Sequence, residues 1–263
     1  MKVGITQIVL SRMSLDEALE LCKDAGYEAI ELSFKEGGSP DINMSESELK
    51  EVGAKCAAAG VEISSVIGGY NDRGNMLSLD PDERKRGSKS AARILEIAEI
   101  LGVDGMLLHP GQLTSEGTYQ AAWDGLLGEL KELAPVAESH KAAIAVENVW
   151  NKFLLSPKEM REFVDAVGSK WVGTYLDTAN MMLYGYPEQW IRGLGKRIKK
   201  VHFKDFNRRE RKFVNLLDGD TDWPLIMKEL RNIGYDSAVI HEVGGDRDML
   251  IDLGDRMRKI VAM

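Results

Sequence analysis

The chain has 263 residues, with 34 Lys and Arg against 42 Asp and Glu for a net charge of −8, and 44% of its residues are hydrophobic. That length is typical of a single (β/α)8 barrel, and the ordinary composition excludes wholesale disorder. Only two cysteines occur, Cys22 and Cys56, so a zinc finger, an iron–sulfur site and a disulfide framework are excluded, and the acidic balance argues against a large nucleic-acid surface.

Short β-branched runs alternate with longer amphipathic stretches along the whole chain. The predicted strands are residues 2–10, 29–34, 62–67, 105–109, 143–148, 172–177, 199–203 and 237–243. Between them, apolar residues recur at helical spacing, as in Leu15, Ala18, Leu19 and Cys22 or Ile94, Ile97, Ala98 and Leu101. Ser14 followed by Glu17 has the spacing of a capping box, and Ser156-Pro157 places a cap before a proline at the first helical position. Gly26, Gly60, Gly102 and Gly234 each follow the last turn of a helix, just ahead of a strand. The opening segment lacks the long apolar core of a signal peptide, and no run approaches membrane-spanning length, so a soluble cytoplasmic protein is expected.

Strand then helix, eight times over, predicts an α/β fold with a parallel sheet closed into one (β/α)8 TIM barrel spanning residues 1–263. An open doubly wound sheet is the rival, but it usually has fewer strands, and no G-x-G-x-x-G follows the first strand. In such a barrel the active site lies where the strands end. The exits carry Glu31, His109, Glu147, Asp177, His202 and His241-Glu242. Any one of these could be a structural ion pair. Four successive strands, the fifth to the eighth, ending in Glu147, Asp177, His202 and Glu242 are harder to explain that way, because each polar group interrupts an apolar run. Together they form a mixed oxygen and nitrogen ligand set suited to one divalent ion: Mn, Mg, Co or Zn.

At these residues the chain resembles the xylose-isomerase-like TIM-barrel superfamily, in its sugar phosphate isomerase/epimerase branch, which includes ketose 3-epimerases. The resemblance is densest from Ala145 to Val243, through AVENVWNKFLLSP, YLDTANMMLYGYP, IKKVHFKDF, DGDTDWP and VIHEV. It implies a metal held by Glu147, Asp177, His202 and Glu242, with Glu147 and Glu242 also acting as acid/base groups on a metal-stabilised enediolate. It further implies an isomerase of a small sugar or sugar phosphate, with no nucleic-acid or membrane partner; a homodimer or homotetramer is the expected assembly. His109, Asn180, Arg208 and Trp150 are the expected substrate-binding residues. Trp150 and Phe153 could equally be packing aromatics, Lys204 and Asp205 are read as orienting His202, and Met181 and Met182 as packing. Asn180 departs from the relatives, which commonly carry histidine there; asparagine can hydrogen-bond a hydroxyl but cannot shuttle a proton near neutrality.

An inosose-type dehydratase and a hydroxypyruvate-type isomerase are the nearer alternatives on the same barrel. An endonuclease-IV-type repair enzyme would need more strand-end histidines, and a non-catalytic sugar-binding barrel has little use for two carboxylates on a metal. Arg208, Arg209, Arg211 and Lys212, with Gly244-Gly245, lie where barrels often hold a phosphate; a solvated charged loop is the alternative.

Overall fold

The computed structural model describes residues 1–68 and 74–263. Its strands are β1 (Val3–Thr6), β2 (Ala29–Phe34), β3 (Glu62–Gly68), β4 (Gly105–Leu108), β5 (Ala143–Glu147), β6 (Val172–Asp177), β7 (Ile198–Phe203), β8 (Asp205–Asn207), β9 (Lys212–Val214) and β10 (Val239–His241). All but β8 and β9 pair in parallel and close into a barrel in the order β1-β10-β7-β6-β5-β4-β3-β2. Around it lie α1 (Leu15–Ala25), α2 (Glu46–Ala58), α3 (Pro81–Leu101), α4 (Tyr119–Ser139), α5 (Pro157–Val167), α6 (Pro187–Leu194), α7 (Trp223–Asn232) and α8 (Arg247–Val261). The fold is a (β/α)8 TIM barrel, as the alternation predicts. Among the described residues, no helix is long and apolar enough to cross a membrane.

The helix ends obey their local sequence. Ser14 caps α1 in a full capping box with Glu17, and Ser156 caps α5 ahead of Pro157. Such a cap is worth about 1 kcal/mol because it satisfies amides that the first turn leaves unpaired. Gly26 and Gly102 close α1 and α3 in the left-handed region, where a side chain would be strained. Each helix turns its apolar face inward. On α1 that face is Leu15, Ala18, Leu19, Leu21, Cys22 and Ala25.

Beyond shifts of one or two residues at strand ends, two features differ from expectation. The first strand stops at Thr6, and residues 7–10 turn into a 3-10 helix capped by the Thr6 hydroxyl, which accepts from the Ile8 amide at 3.3 Å. Gln7 then lies buried and ties two loop segments: its amide donates to the Ser39 carbonyl at 2.6 Å, and its side-chain oxygen accepts from the Ser33 amide at 3.0 Å. An apolar run such as Gln7–Leu10 does not distinguish strand from turn by pattern alone. The second difference is the antiparallel hairpin of β8 and β9, which carries the basic stretch 208–212 at its tip.

Inside the barrel the two-residue period of each strand selects what faces inward. Ile67, Leu107, Ala145 and Tyr175 form one interior layer, and Ala29, Ala238 and Ile240 another. Register aligns the strand ends above them: Glu147 pairs with Tyr175, Asp177 with His202, and His202 with Ile240, two residues before Glu242.

Candidate metal centre

The register brings four side chains to one point. One ligand atom each from Glu147, Asp177, His202 and Glu242 lies within 4.8 Å of the others. Asp177 and His202 are fully buried, and Glu147 nearly so. Lys204 sits among them, its ammonium 3.1 Å from Asp177 Oδ2 and 2.9 Å from Glu242 Oε2. His202 Nδ1 lies 3.3 Å from Glu242 Oε2 and 4.0 Å from Glu147 Oε1.

The donor set fits a divalent cation on two grounds. Asp177 Oδ2 and His202 Nδ1 are buried without a hydrogen bond of proper geometry, despite opposite charges nearby. Buried polar atoms left this way are costly, and an ion contacting both removes the cost. Three carboxylates also crowd together beside a single ammonium, a repulsion that a divalent cation would relieve. Mixed carboxylate and imidazole ligation suits Mn, Zn or Co, with Mg more demanding of oxygen.

The same crowding pulls the two glutamates apart. Burial, with the Glu242 charge beside it, raises the Glu147 carboxyl from its ordinary 4.5 to about 8. Burial works against the Glu242 charge as well, but the His202 contact and the Lys204 charge outweigh it and hold that carboxyl below its usual range. His202 is held above its usual range because Glu31 and Glu242 overcome the effect of burial. Lys204 is raised likewise by Asp177 and Glu242.

Beneath the cluster, Glu31 accepts from His202 Nε2 at 3.0 Å. This overturns the reading in which Lys204 and Asp205 orient the imidazole. Glu31 is fully buried and also accepts from Thr6 Oγ1 at 2.8 Å and Ser65 Oγ at 2.6 Å. A register shift next to Glu31 skips Ser64 and sets Ser65 beside the carboxylate. Asp205 instead organises the loop after the hairpin, accepting from the Leu217, Gly219 and Thr221 amides and from Trp223 Nε1. The signal that finds Lys204 was present in HFKDF: two residues beyond His202, it shares that residue's face.

The other expected site residues divide. His109 lines a cavity of about 550 Å³ together with Glu147, Lys204 and Glu242. Burial lowers its imidazole to about 4, and its Nδ1 accepts from the Gly111 amide at 3.1 Å. Asn180 supports the ligands, donating to Asn148 O at 2.9 Å and Glu147 Oε1 at 3.4 Å while its amide donates to Asp177 Oδ1 at 2.7 Å. Trp150 donates to the Asn180 carbonyl at 2.6 Å and packs on Phe213. Arg208 spends its guanidinium on the Met182 and Gly185 carbonyls, both at 2.7 Å, and lies over the Tyr186 ring. Neither Trp150 nor Arg208 lines the cavity that holds the two glutamates. Phe153 is buried against Tyr119, Trp123 and Phe163, a packing aromatic. His241 faces away from the cluster, its Nε2 2.6 Å from the Tyr27 hydroxyl, and burial lowers it to about 3.

Known proteins match this architecture over its length. The chain is 27% identical over 191 residues to the 2-epi-5-epi-valiolone 7-phosphate 2-epimerase of Actinoplanes sp., covering 72% of this chain and 66% of the relative. D-psicose 3-epimerase from Clostridium cellulolyticum H10, solved with D-tagatose, superposes with a TM-score of 0.83 at 21% identity, covering all of this chain and 98% of that one. The IOLI protein, solved with a zinc atom bound, superposes with a TM-score of 0.82 at 19% identity, covering 100% and 98%. Residues 19–261 match the family model described as xylose isomerase-like TIM barrel. The chain belongs to that family.

Proposed function

We propose that the protein is a divalent-metal-dependent isomerase that epimerises a sugar-type substrate at the carbon beside its carbonyl. The observation that carries this is the convergence of Glu147, Asp177, His202 and Glu242 within 4.8 Å, two of them at the wall of a cavity large enough for a sugar. That one similar protein is a D-psicose 3-epimerase, another a 2-epi-5-epi-valiolone 7-phosphate 2-epimerase, and a third holds zinc supports the reading.

Glu147, Asp177, His202 and Glu242 would hold the ion. Bound there, it supplies a Lewis acid that polarises the carbonyl and makes the neighbouring C–H acidic. The chain's own groups then handle the proton. Inverting a carbon through a planar intermediate needs a base on one face and an acid on the other. Glu147, pushed up by burial, and Glu242, held ionised by Lys204 and His202, are a carboxylate pair whose affinities for a proton are set apart. Lys204 balances Asp177 and Glu242, and His109 faces the same cavity with a neutral imidazole suited to a substrate hydroxyl.

The test is solvent exchange. With Mn added, the protein incubated with a ketose panel in deuterated water introduces deuterium beside the carbonyl. Glu147→Gln and Glu242→Gln each lower that rate on the order of 10²–10⁴-fold, as expected for a positioned acid or base. Their metal content is measured in parallel. Turnover without deuterium in the product would replace two-carboxylate epimerisation with a shielded or hydride-type transfer, and loss of water from the substrate would make the enzyme a dehydratase.

A further inference from the structure

The cavity that holds the two glutamates extends from Glu147 across the barrel mouth to the ends of β1 and β2, the first of which pairs with the strand that leads to Glu242. There it is lined by the turn after β1 and the loop after β2, including Ser11, Arg12, Lys35 and Ser39. We propose that this far end is an anion subsite and that the substrate carries a phosphate monoester, seated on Arg12 and Lys35 with the Ser11 and Ser39 hydroxyls beside it. The proposal rests on the sugar reading above and adds the substrate's charge and its orientation.

Several observations converge on it. Among the described residues, neither Arg12 nor Lys35 makes a side-chain hydrogen bond or ion pair, and both are exposed at the rim. Three other cations near the mouth are already committed among the described residues. Lys204 is held by Asp177 and Glu242, Arg208 by two backbone carbonyls, and Lys212 by Glu210. The basic stretch of the hairpin, Arg208, Arg209, Arg211 and Lys212, does not line this cavity.

The loop that carries Lys35 is also held in place. Buried Gln7 grips the Ser39 carbonyl and the Ser33 amide, on either side of Lys35. Neither acid of the loop, Glu36 or Asp41, lines the cavity, and Asp41 is engaged by the Gly37 amide at 2.6 Å and the Asn43 amide at 2.7 Å. Because the Gly37 and Gly38 amides are spent within the loop, recognition falls to side chains, and guanidinium, ammonium and hydroxyl donors match the oxygens of a phosphate. Charge then sets direction. A dianion is attracted to the uncommitted Arg12 and Lys35, which leaves the carbonyl end of the substrate to face Glu147 and Glu242.

The test uses the full-length protein as purified, with inorganic phosphate as the probe, titrated by calorimetry. Wild type binds phosphate saturably. Arg12→Gln and Lys35→Gln each weaken it by roughly 10-fold or more, the usual effect of deleting a charged hydrogen-bond donor. Arg209→Gln with Arg211→Gln, on the exposed hairpin tip, leaves it unchanged. Thermal melting confirms that the variants fold. No saturable binding by wild type, unchanged binding in the Arg12/Lys35 double variant, or loss only in the hairpin variant overturns the subsite. Solvent exchange with matched ketoses and ketose phosphates separates this from the sugar reading. If neutral ketoses exchange as well as their phosphates and the double variant does not raise KM for the phosphates, the subsite falls and the sugar reading stands. If phosphate binding depends on Arg12 and Lys35 but no ketose or ester exchanges, the sugar reading falls and the subsite stands.

Discussion

Glu31 and His202 show how much a single contact decides. With Nε2 directed at Glu31, the imidazole is held so that Nδ1 faces Glu147 and Glu242. A ligating histidine whose second nitrogen is held by a carboxylate is fixed in ring orientation and made more basic. Sequence position alone assigns Glu31 a mild role, since β2 lies well away from β7 along the sheet order. The buried contact reverses that expectation. Glu31→Gln keeps the volume but removes the charge, and we expect Mn affinity to fall by roughly 10–100-fold. Equilibrium dialysis of the purified variant measures this. An affinity within twofold of wild type would mean that Glu31 merely fills the barrel floor.

At the scale of elements, the segment from β8 to α7 depends on one side chain. Asp205 is fully buried, with Oδ1 accepting from the Phe206 amide and the Thr221 amide and hydroxyl, and Oδ2 from the Leu217 and Gly219 amides and the Trp223 indole. Gly219 approaches so closely that an added Cβ would meet Asp205 Oδ1 at 2.2 Å. Removing the carboxylate strands several buried donors, each costing about 1–3 kcal/mol when left unsatisfied. We expect Asp205→Ala to lose at least about 3 kcal/mol in urea denaturation, while Asp205→Asn, which retains one acceptor, loses less. A loss under about 1 kcal/mol would show that water replaces the carboxylate and that the loop does not need it. The K-D dipeptide after His202 is visible in the sequence, but Lys204 turns into the site and Asp205 away from it. Successive residues of an extended chain face opposite sides, so adjacency to His202 cannot give both the same task.

For the whole molecule, the cluster couples stability, pH and metal. Between pH 6.5 and 8 the unfolded chain has already lost its Glu147 proton and is losing its His202 proton, whereas the folded metal-free protein keeps the His202 proton and gives up that of Glu147 only as pH nears 8. The folded state binds more protons in this window, so its stability falls as pH rises. Buried His109 and His241, lowered to about 4 and 3, act in the opposite sense, but only below their ordinary 6.5. We therefore expect the Tm of chelator-treated protein to drop from pH 6.5 to 8. An ion competes for the same groups, so the Tm gain on adding Mn should be larger at pH 8 than at pH 6.5. A Tm gain that is equal at both pH values, or absent, would place metal binding outside this cluster.

The barrel was legible from the chain alone because its signals are local. Capping residues, terminating glycines and the alternation of strand and helix depend on near neighbours, and Ser14, Gly26, Ser156 and Gly102 act as they read. The convergence of Glu147, Asp177, His202 and Glu242 was legible too, since closing eight parallel strands necessarily gathers their ends. What the tertiary structure decided are contacts across the barrel and between loops, which no spacing encodes. A register shift in β3 sets Ser65 against Glu31 and helps to aim it at His202. The turn of residues 7–10, in place of a longer strand, lets buried Gln7 hold the Lys35 loop beside the cavity. Arg208, read from the resemblance as a substrate ligand, donates instead to the Met182 and Gly185 carbonyls of the segment after β6, a contact between loops that only the fold creates.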